Sequence, residues 1–118
     1  KKQASIVFIA SAAATMPVTG NAVYSASKAA LVAYAKCLAQ ELAPRQIRVN
    51  CISPTMVWTD LALVGATVEQ LQEAQLSYPL KRYGQPEDIA NLAIYLLSDA
   101  SAWMTGSNIE ITGGSQTL

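Results

Sequence analysis

The stretch SIVFIA, Ser5 to Ala10, holds four consecutive β-branched or aromatic residues, Ile6 to Ile9. Strict alternation would mark a strand with one wet face, whereas an unbroken apolar run suits a strand covered on both faces, as parallel strands are. Its lead-in, Lys1 to Ala4, reads as solvated. A second run, IRVNCI from Ile47 to Ile52, alternates apolar and polar residues and stops at Ser53-Pro54, which predicts another strand. About 36 residues with one helical pattern lie between the two, the length a crossover needs to join parallel neighbours.

That helical pattern runs from Asn21 to Ala43, with Leu31, Tyr34, Leu38 and Leu42 at three- and four-residue steps and Pro44 unable to continue it. Ala26, Ala30, Ala33 and Cys37 line up on one side, a small-residue face that fits packing on its own sheet or a subunit contact equally well. Met56 to Tyr83 is less regular. Thr67 and Gln70 have capping-box spacing for a short helix, Pro79 closes the segment, and so long an excursion is where function concentrates. Pro86 in a first turn, Glu87 and Asp88 at its positive end, and a stripe of Ile89, Leu92, Ala93, Leu96 and Leu97 predict a helix to about Ser98. After Gly106, NIEIT from Asn108 to Thr112 reads as a short strand broken by Gly113-Gly114. The fold class is therefore α/β, about three parallel strands with crossover helices. It forms the second half of a doubly wound sheet, because a run as apolar as IVFI belongs inside a sheet and this chain has nothing to cover its bare side.

Composition bounds the partners. The chain has 118 residues, 52% of them hydrophobic and 14% charged, enough for one domain or part of one. Eight basic residues balance eight acidic ones without a run of like charge, which argues against nucleic acid and against an anionic membrane surface. No apolar run reaches the ~20 residues of a membrane span, and no signal sequence is seen at the start, so a soluble, cytoplasmic protein is expected. Cys37 and Cys51 have neither CxxC spacing nor any histidine in the chain, so no metal site is expected and both read as buried free thiols.

YSASK, Tyr24 to Lys28, puts a phenol and an ammonium one helical turn apart. It stands in an ordered set: IAS at Ile9 to Ser11, YSASK, RVNCISPTMVWT at Arg48 to Thr59, PLKRYGQPEDIANLAIYLLSD at Pro79 to Asp99, and TGSNIEITGG at Thr105 to Gly114. Together these resemble the C-terminal half of the short-chain dehydrogenase/reductase family. The resemblance implies a Rossmann-type fold, an NAD or NADP cofactor, hydride transfer between nicotinamide and a small carbonyl or alcohol substrate, and a homo-oligomer. It implies Tyr24 as general acid/base, Lys28 as its activator and a ligand of the nicotinamide ribose, and Ser11 as the hydroxyl that orients the substrate oxygen. Thr59 and Val57 match positions that approach the carboxamide. The similarity of residues 79–114 to 3-oxoacyl carrier-protein reductases points to a 3-oxoacyl thioester as substrate.

The chemistry asks for these residue types on its own account. A carbonyl oxygen needs a proton as hydride reaches its carbon, and a free phenol is too weak an acid to give one near neutrality. A cation ~4 Å from a phenolate stabilises it by roughly 4 kcal/mol at an effective dielectric of ~20, before solvent screening. Serine at the carboxyl end of a buried strand can donate to the same oxygen without carrying charge.

Departures from the family pattern carry expectations too. Thr55 stands where glycine is usual after Pro54, which predicts an altered path or strain at positive φ beside the cofactor; Thr112 replaces an acidic residue and affects local hydrogen bonding. The 118 residues contain no Gly-rich pyrophosphate turn, no ribose selector, no NNAG-like strand and no upstream helix asparagine. Residues 1–118 are thus expected to be the catalytic, substrate-side part of a Rossmann-type domain without its dinucleotide-binding half. The other reading is a non-catalytic α/β module that assembles through its exposed strand edge or its alanine-faced helix.

Overall fold

The computed structural model describes residues 3–118, so Lys1 and Lys2 of the solvated lead-in lie outside the described residues. Three strands, β1 (Ala4–Ile9), β2 (Ile47–Pro54) and β3 (Asn108–Ile111), form one parallel sheet in that order. The register sets Ala4 opposite Ile47 through Ile9 opposite Ile52, and Cys51 opposite Asn108 through Pro54 opposite Ile111. Helix α1 (Ala22–Leu42) crosses between β1 and β2; α2 (Val68–Ala74) and α3 (Pro86–Leu97) lie between β2 and β3. β2 runs two residues past the expected stop, because Pro54 ends the strand, where its missing N–H costs little. Among the described residues β1 pairs only with β2, so its apolar run sits on the sheet edge and Ile9 is half exposed.

Side-chain alternation divides the sheet. Ile6, Phe8, Val49 and Cys51 point to one face and pack with Val32, Ala35, Leu38, Ala39 and Leu42 of α1. The other face carries Ser5, Arg48 and Asn50: Ser5 Oγ donates to the Leu96 carbonyl of α3 at 2.7 Å, and the Arg48 guanidinium donates to the Leu96 and Ser98 carbonyls at 3.1 and 2.9 Å. Helices on both faces of a parallel sheet make a three-layer α/β architecture. No helix among the described residues is long and apolar enough to cross a membrane.

One of the two readings of the α1 small-residue face is removed, and the expectations for Cys37, Tyr34 and Leu97 are corrected. The small-residue face of Ala26, Ala30, Ala33 and Cys37 is not the one against the sheet; all four residues are exposed. The Cys37 thiol is therefore not buried. Cys51 is, and burial pushes its thiol up, with Lys36 offsetting part of the effect. Tyr34 is 58% exposed and meets the core only through an edge-to-face contact with Phe8 at 6.0 Å; Val32 and Ala35 occupy the inward positions instead. On α3, Leu96 is fully buried whereas Leu97, at the end of the expected stripe, faces outward.

Candidate active site

Where β1 ends, Ala10 N–H still donates to the Ile52 carbonyl at 2.8 Å, and the chain turns into a short 3-10 segment, Ala12–Ala14. Ser11 caps that segment: its Oγ accepts from Ala13 N–H at 3.1 Å, which fixes the oxygen and leaves the O–H free to donate elsewhere. α1 packs against this turn. Tyr24 sits in the first turn of α1, half exposed, and Lys28 follows one turn later with Nζ 5.8 Å from the Tyr24 ring centroid, within cation–π range. The one ion pair among the described residues joins Arg82 to Asp88, so Lys28 is not engaged by a carboxylate. A hydroxyl donor, a phenol and an ammonium thus come from the β1 turn and the start of α1, at the carboxyl end of the strands, where open α/β sheets bind ligands.

The end of β2 supplies a second wall. Thr55 does not take positive φ, since Gln46 and Lys81 are the non-glycine residues that do; the expected strain at Thr55 is absent. Instead Thr55 N–H donates to the Ile111 carbonyl at 3.3 Å and its Oγ1 to the Thr112 carbonyl at 3.4 Å, tying the β2 end to the β3 end. The two departures from the family pattern are thus neighbours. Val57 forms an isolated parallel bridge with Gly84. Thr59 is exposed and caps the 3-10 turn Asp60–Leu63, accepting from Ala62 N–H at 3.4 Å. A cavity of about 230 Å³ lies behind this run, lined by Thr55, Val57, Arg82, Gly84, Asp88 and Ile111 among others. A larger one, about 320 Å³, lies at the opposite end of the strands beside Gln3, Ser5, Arg48 and Asp99, away from Tyr24 and Lys28.

The excursion from Met56 to Tyr83 has its own small core. Leu71, Tyr78 and Tyr83 are buried together against Met56, Trp58, Ala62 and Ala66. Ring centroids lie 5.6 Å apart for Trp58 and Tyr83 and 5.1 Å for Tyr78 and Tyr83, within aromatic pairing distance. Burial, with Tyr78 adding to it, pushes the Tyr83 phenol up, so it stays protonated beside the site. Gly113 and Gly114, both at positive φ, let this core dock on the β3 end: a Cβ on Gly114 would meet the Pro79 ring at 2.9 Å. Lys81 and Arg82 are exposed yet anchored: Arg82 binds Asp88, and Lys81 Nζ donates to the Leu76 carbonyl at 3.2 Å. Sequence reasoning passed over Gln75 and Tyr78. Its only hint of them was the density of aromatic residues in an otherwise irregular segment.

Against this geometry, comparison with known proteins is specific. Residues 1–116 match the family model described as enoyl-(acyl carrier protein) reductase. The 3-oxoacyl-(acyl-carrier-protein) reductase of Chlamydia pneumoniae is 40% identical over 114 residues, 96% of this chain and 45% of that protein. L-xylulose reductase of Caenorhabditis elegans is also 40% identical, over 93% of this chain and 44% of the relative. Among solved structures, a short chain dehydrogenase family protein from Francisella tularensis subsp. tularensis SCHU S4 superposes with a TM-score of 0.87 at 40% identity, covering 97% of this chain and 51% of the other. A 4-hydroxyisoleucine dehydrogenase complexed with NADH gives 0.81 at 38% identity, over 93% and 45%. The chain belongs to the short-chain dehydrogenase/reductase family, and its sheet is part of that family's Rossmann-type fold. It spans about half the length of the curated relatives it matches.

Proposed function

We propose that residues 1–118 supply the catalytic and substrate-side half of a Rossmann-type domain in an NAD(P)-dependent oxidoreductase acting on a carbonyl or alcohol. The observation that carries this reading is the placement of Lys28 Nζ against the Tyr24 ring on the α1 turn that packs beside the Ser11 cap. The donor set fits a nicotinamide riboside. An ammonium free of carboxylates can donate to a ribose diol, and Thr59, whose oxygen already accepts from Ala62 N–H, keeps its proton for a carboxamide oxygen. When bound, the nicotinamide supplies or accepts the hydride. Ser11 donates its O–H to the substrate oxygen and orients it; Tyr24 gives that oxygen its proton in reduction and takes it back in oxidation; Lys28 favours the charge this leaves on the phenol. Val57 lines the carboxamide side through its backbone.

The substrate class we favour is a 3-oxoacyl thioester, on the likeness of residues 79–114 to carrier-protein reductases, with ketoses as the comparison class because a xylulose reductase is equally similar. The exposed small-residue face of α1 lets a second helix approach closely, which supports a homo-oligomer. The test is NADH or NADPH oxidation by the intact protein carrying these residues, with an acetoacetyl thioester and with xylulose. Tyr24→Phe is expected to lower kcat/KM by about 10²-fold or more while leaving cofactor Kd unchanged. Lys28→Met is expected to weaken both rate and cofactor binding. A Tyr24→Phe enzyme with near-normal turnover would remove the phenol as proton donor.

A further inference from the structure

We infer that Tyr78 and Gln75 are positioning residues that hold the run Met56–Trp58 against the nicotinamide end of the cofactor, an inference that rests on the proposed role of Val57. Beyond Thr55 this run no longer has a strand neighbour in the ladder. What holds it is a short set of bonds on either side of Val57. Met56 N–H donates to the Tyr78 phenolic oxygen at 3.2 Å, and Trp58 Nε1 donates to Gln75 Oε1 at 3.3 Å. Gly84 supplies the remainder through its main chain, donating to the Met56 carbonyl and accepting from Trp58 N–H, both at 2.9 Å.

Packing holds the run from one side only, where Met56 and Trp58 sit against Leu71, Tyr78 and Tyr83; on the other, the cavity of about 230 Å³ lies against Thr55, Met56 and Val57. The two side chains, by contrast, are themselves fixed. Tyr78 is buried against Tyr83 and against Gly113, where an added Cβ would come within 3.3 Å of the ring; the adjacent Leu80 N–H donates to the Gly113 carbonyl at 3.1 Å. Gln75 follows the last turn of α2, and its single amide oxygen accepts from both Trp58 Nε1 and Tyr83 N–H. Residues 56 and 58 are therefore clamped from two immobile points, and Val57 between them inherits that precision. Neither residue touches the reacting atoms; each acts through the backbone it holds.

The experiment uses the intact protein and two probes, reduced nicotinamide dinucleotide followed by its fluorescence, and ADP-ribose with its 2′-phosphorylated form, which lack the nicotinamide. Tyr78→Phe and Gln75→Met each remove one acceptor, about 1 kcal/mol net, so dinucleotide Kd is expected to rise about fivefold with ADP-ribose binding unmoved. Gln75→Glu, which keeps an acceptor oxygen, is expected to restore most of the loss. A merely structural role would lower thermal stability without separating the two probes. Equal weakening of both probes, or no change in either, overturns the inference. If Tyr78→Phe does not fold, the Gln75 pair carries the same decision alone. A wild type that binds neither probe brings down the proposed function and this inference with it; wild-type binding with unmoved variants brings down the inference only.

Discussion

Arg48 donates to the main-chain carbonyls of Leu96, Ser98, Ser101 and Met104 and to the Ser101 hydroxyl, all between 2.9 and 3.1 Å. These carbonyls lie at the end of α3 and in the turn that follows, where a guanidinium also faces the negative end of the helix dipole. Asn50, fully buried, completes the tie by donating to Met104 and accepting from Ser107 N–H, both at 3.1 Å. In the sequence, Arg48 and Asn50 are simply the polar beats of an alternating strand; partners some fifty residues away cannot be read from spacing. Removing the fork takes one charged donor from each of four carbonyls that all keep a second donor, so Arg48→Met is expected to lower stability by about 1–2 kcal/mol. Arg48→Lys is expected to recover only a minor part, since an ammonium cannot span both sets of carbonyls. Urea unfolding of the intact protein measures both. A shift below ~0.5 kcal/mol for Arg48→Met would mean that water replaces the guanidinium at no cost.

At the scale of elements, the start of α3 shows how a cap becomes a pH-sensitive joint. Asp88 accepts from Gln85 N–H at 2.7 Å and from Arg82 at 2.8 and 3.3 Å. The Arg82 hydrogen bond first, then that of Gln85, holds its carboxyl down at about 2. A carboxyl lowered by folding contributes stability above its unfolded value, near 3.9, and loses that contribution as pH falls toward and through about 2. Asp88→Asn is therefore expected to flatten the dependence of unfolding midpoint on pH between about 4 and 2, with the two proteins converging at the acid end; parallel curves would show the pair to be screened out by solvent. The helix itself was legible, from Pro86, the acidic first turn and the apolar stripe. So was α2, whose box is realised with Gln70 N–H on Thr67 Oγ1 at 3.1 Å and Thr67 N–H on Gln70 Oε1 at 2.9 Å. Local signals of three or four residues survive folding because their partners are within a turn. Which side of α1 meets the sheet was not legible: the helix is apolar nearly all round, so Tyr34 and the alanine face looked as fit for burial as Val32 and Ala35. The Arg82–Asp88 pair spans a turn rather than a helix step, so spacing did not disclose it.

For the molecule as a whole, the proposed site of Ser11, Tyr24 and Lys28 rests on five motifs in a fixed order, not on any one distinctive spacing; the proposed clamp on Val57 was not legible, since it depends on a cluster closed by side chains from two segments. The apolar character of β1 was legible and is in tension with its place at the edge. In a strand, successive N–H groups point to opposite sides. Ala4 and Ala10 N–H donate toward β2, to Gln46 and Ile52 carbonyls at 3.4 and 2.8 Å, so the parity assigns Ile6 and Phe8 to the same side and Ser5, Val7 and Ile9 to the open one. Hydrogen exchange on residues 1–118 alone is expected to show slow Ile6 and Phe8 amides, fast Ser5, Val7 and Ile9 amides, and the slowest exchange in β2, which is paired on both sides. In the intact protein the three fast amides are expected to slow by orders of magnitude, because a run so apolar gains from a further strand on that edge. Uniform protection along β1 in the 118-residue chain would mean that the edge is already closed by pairing between copies. Equally fast exchange of the three amides in the intact protein would mean that the sheet ends at β1.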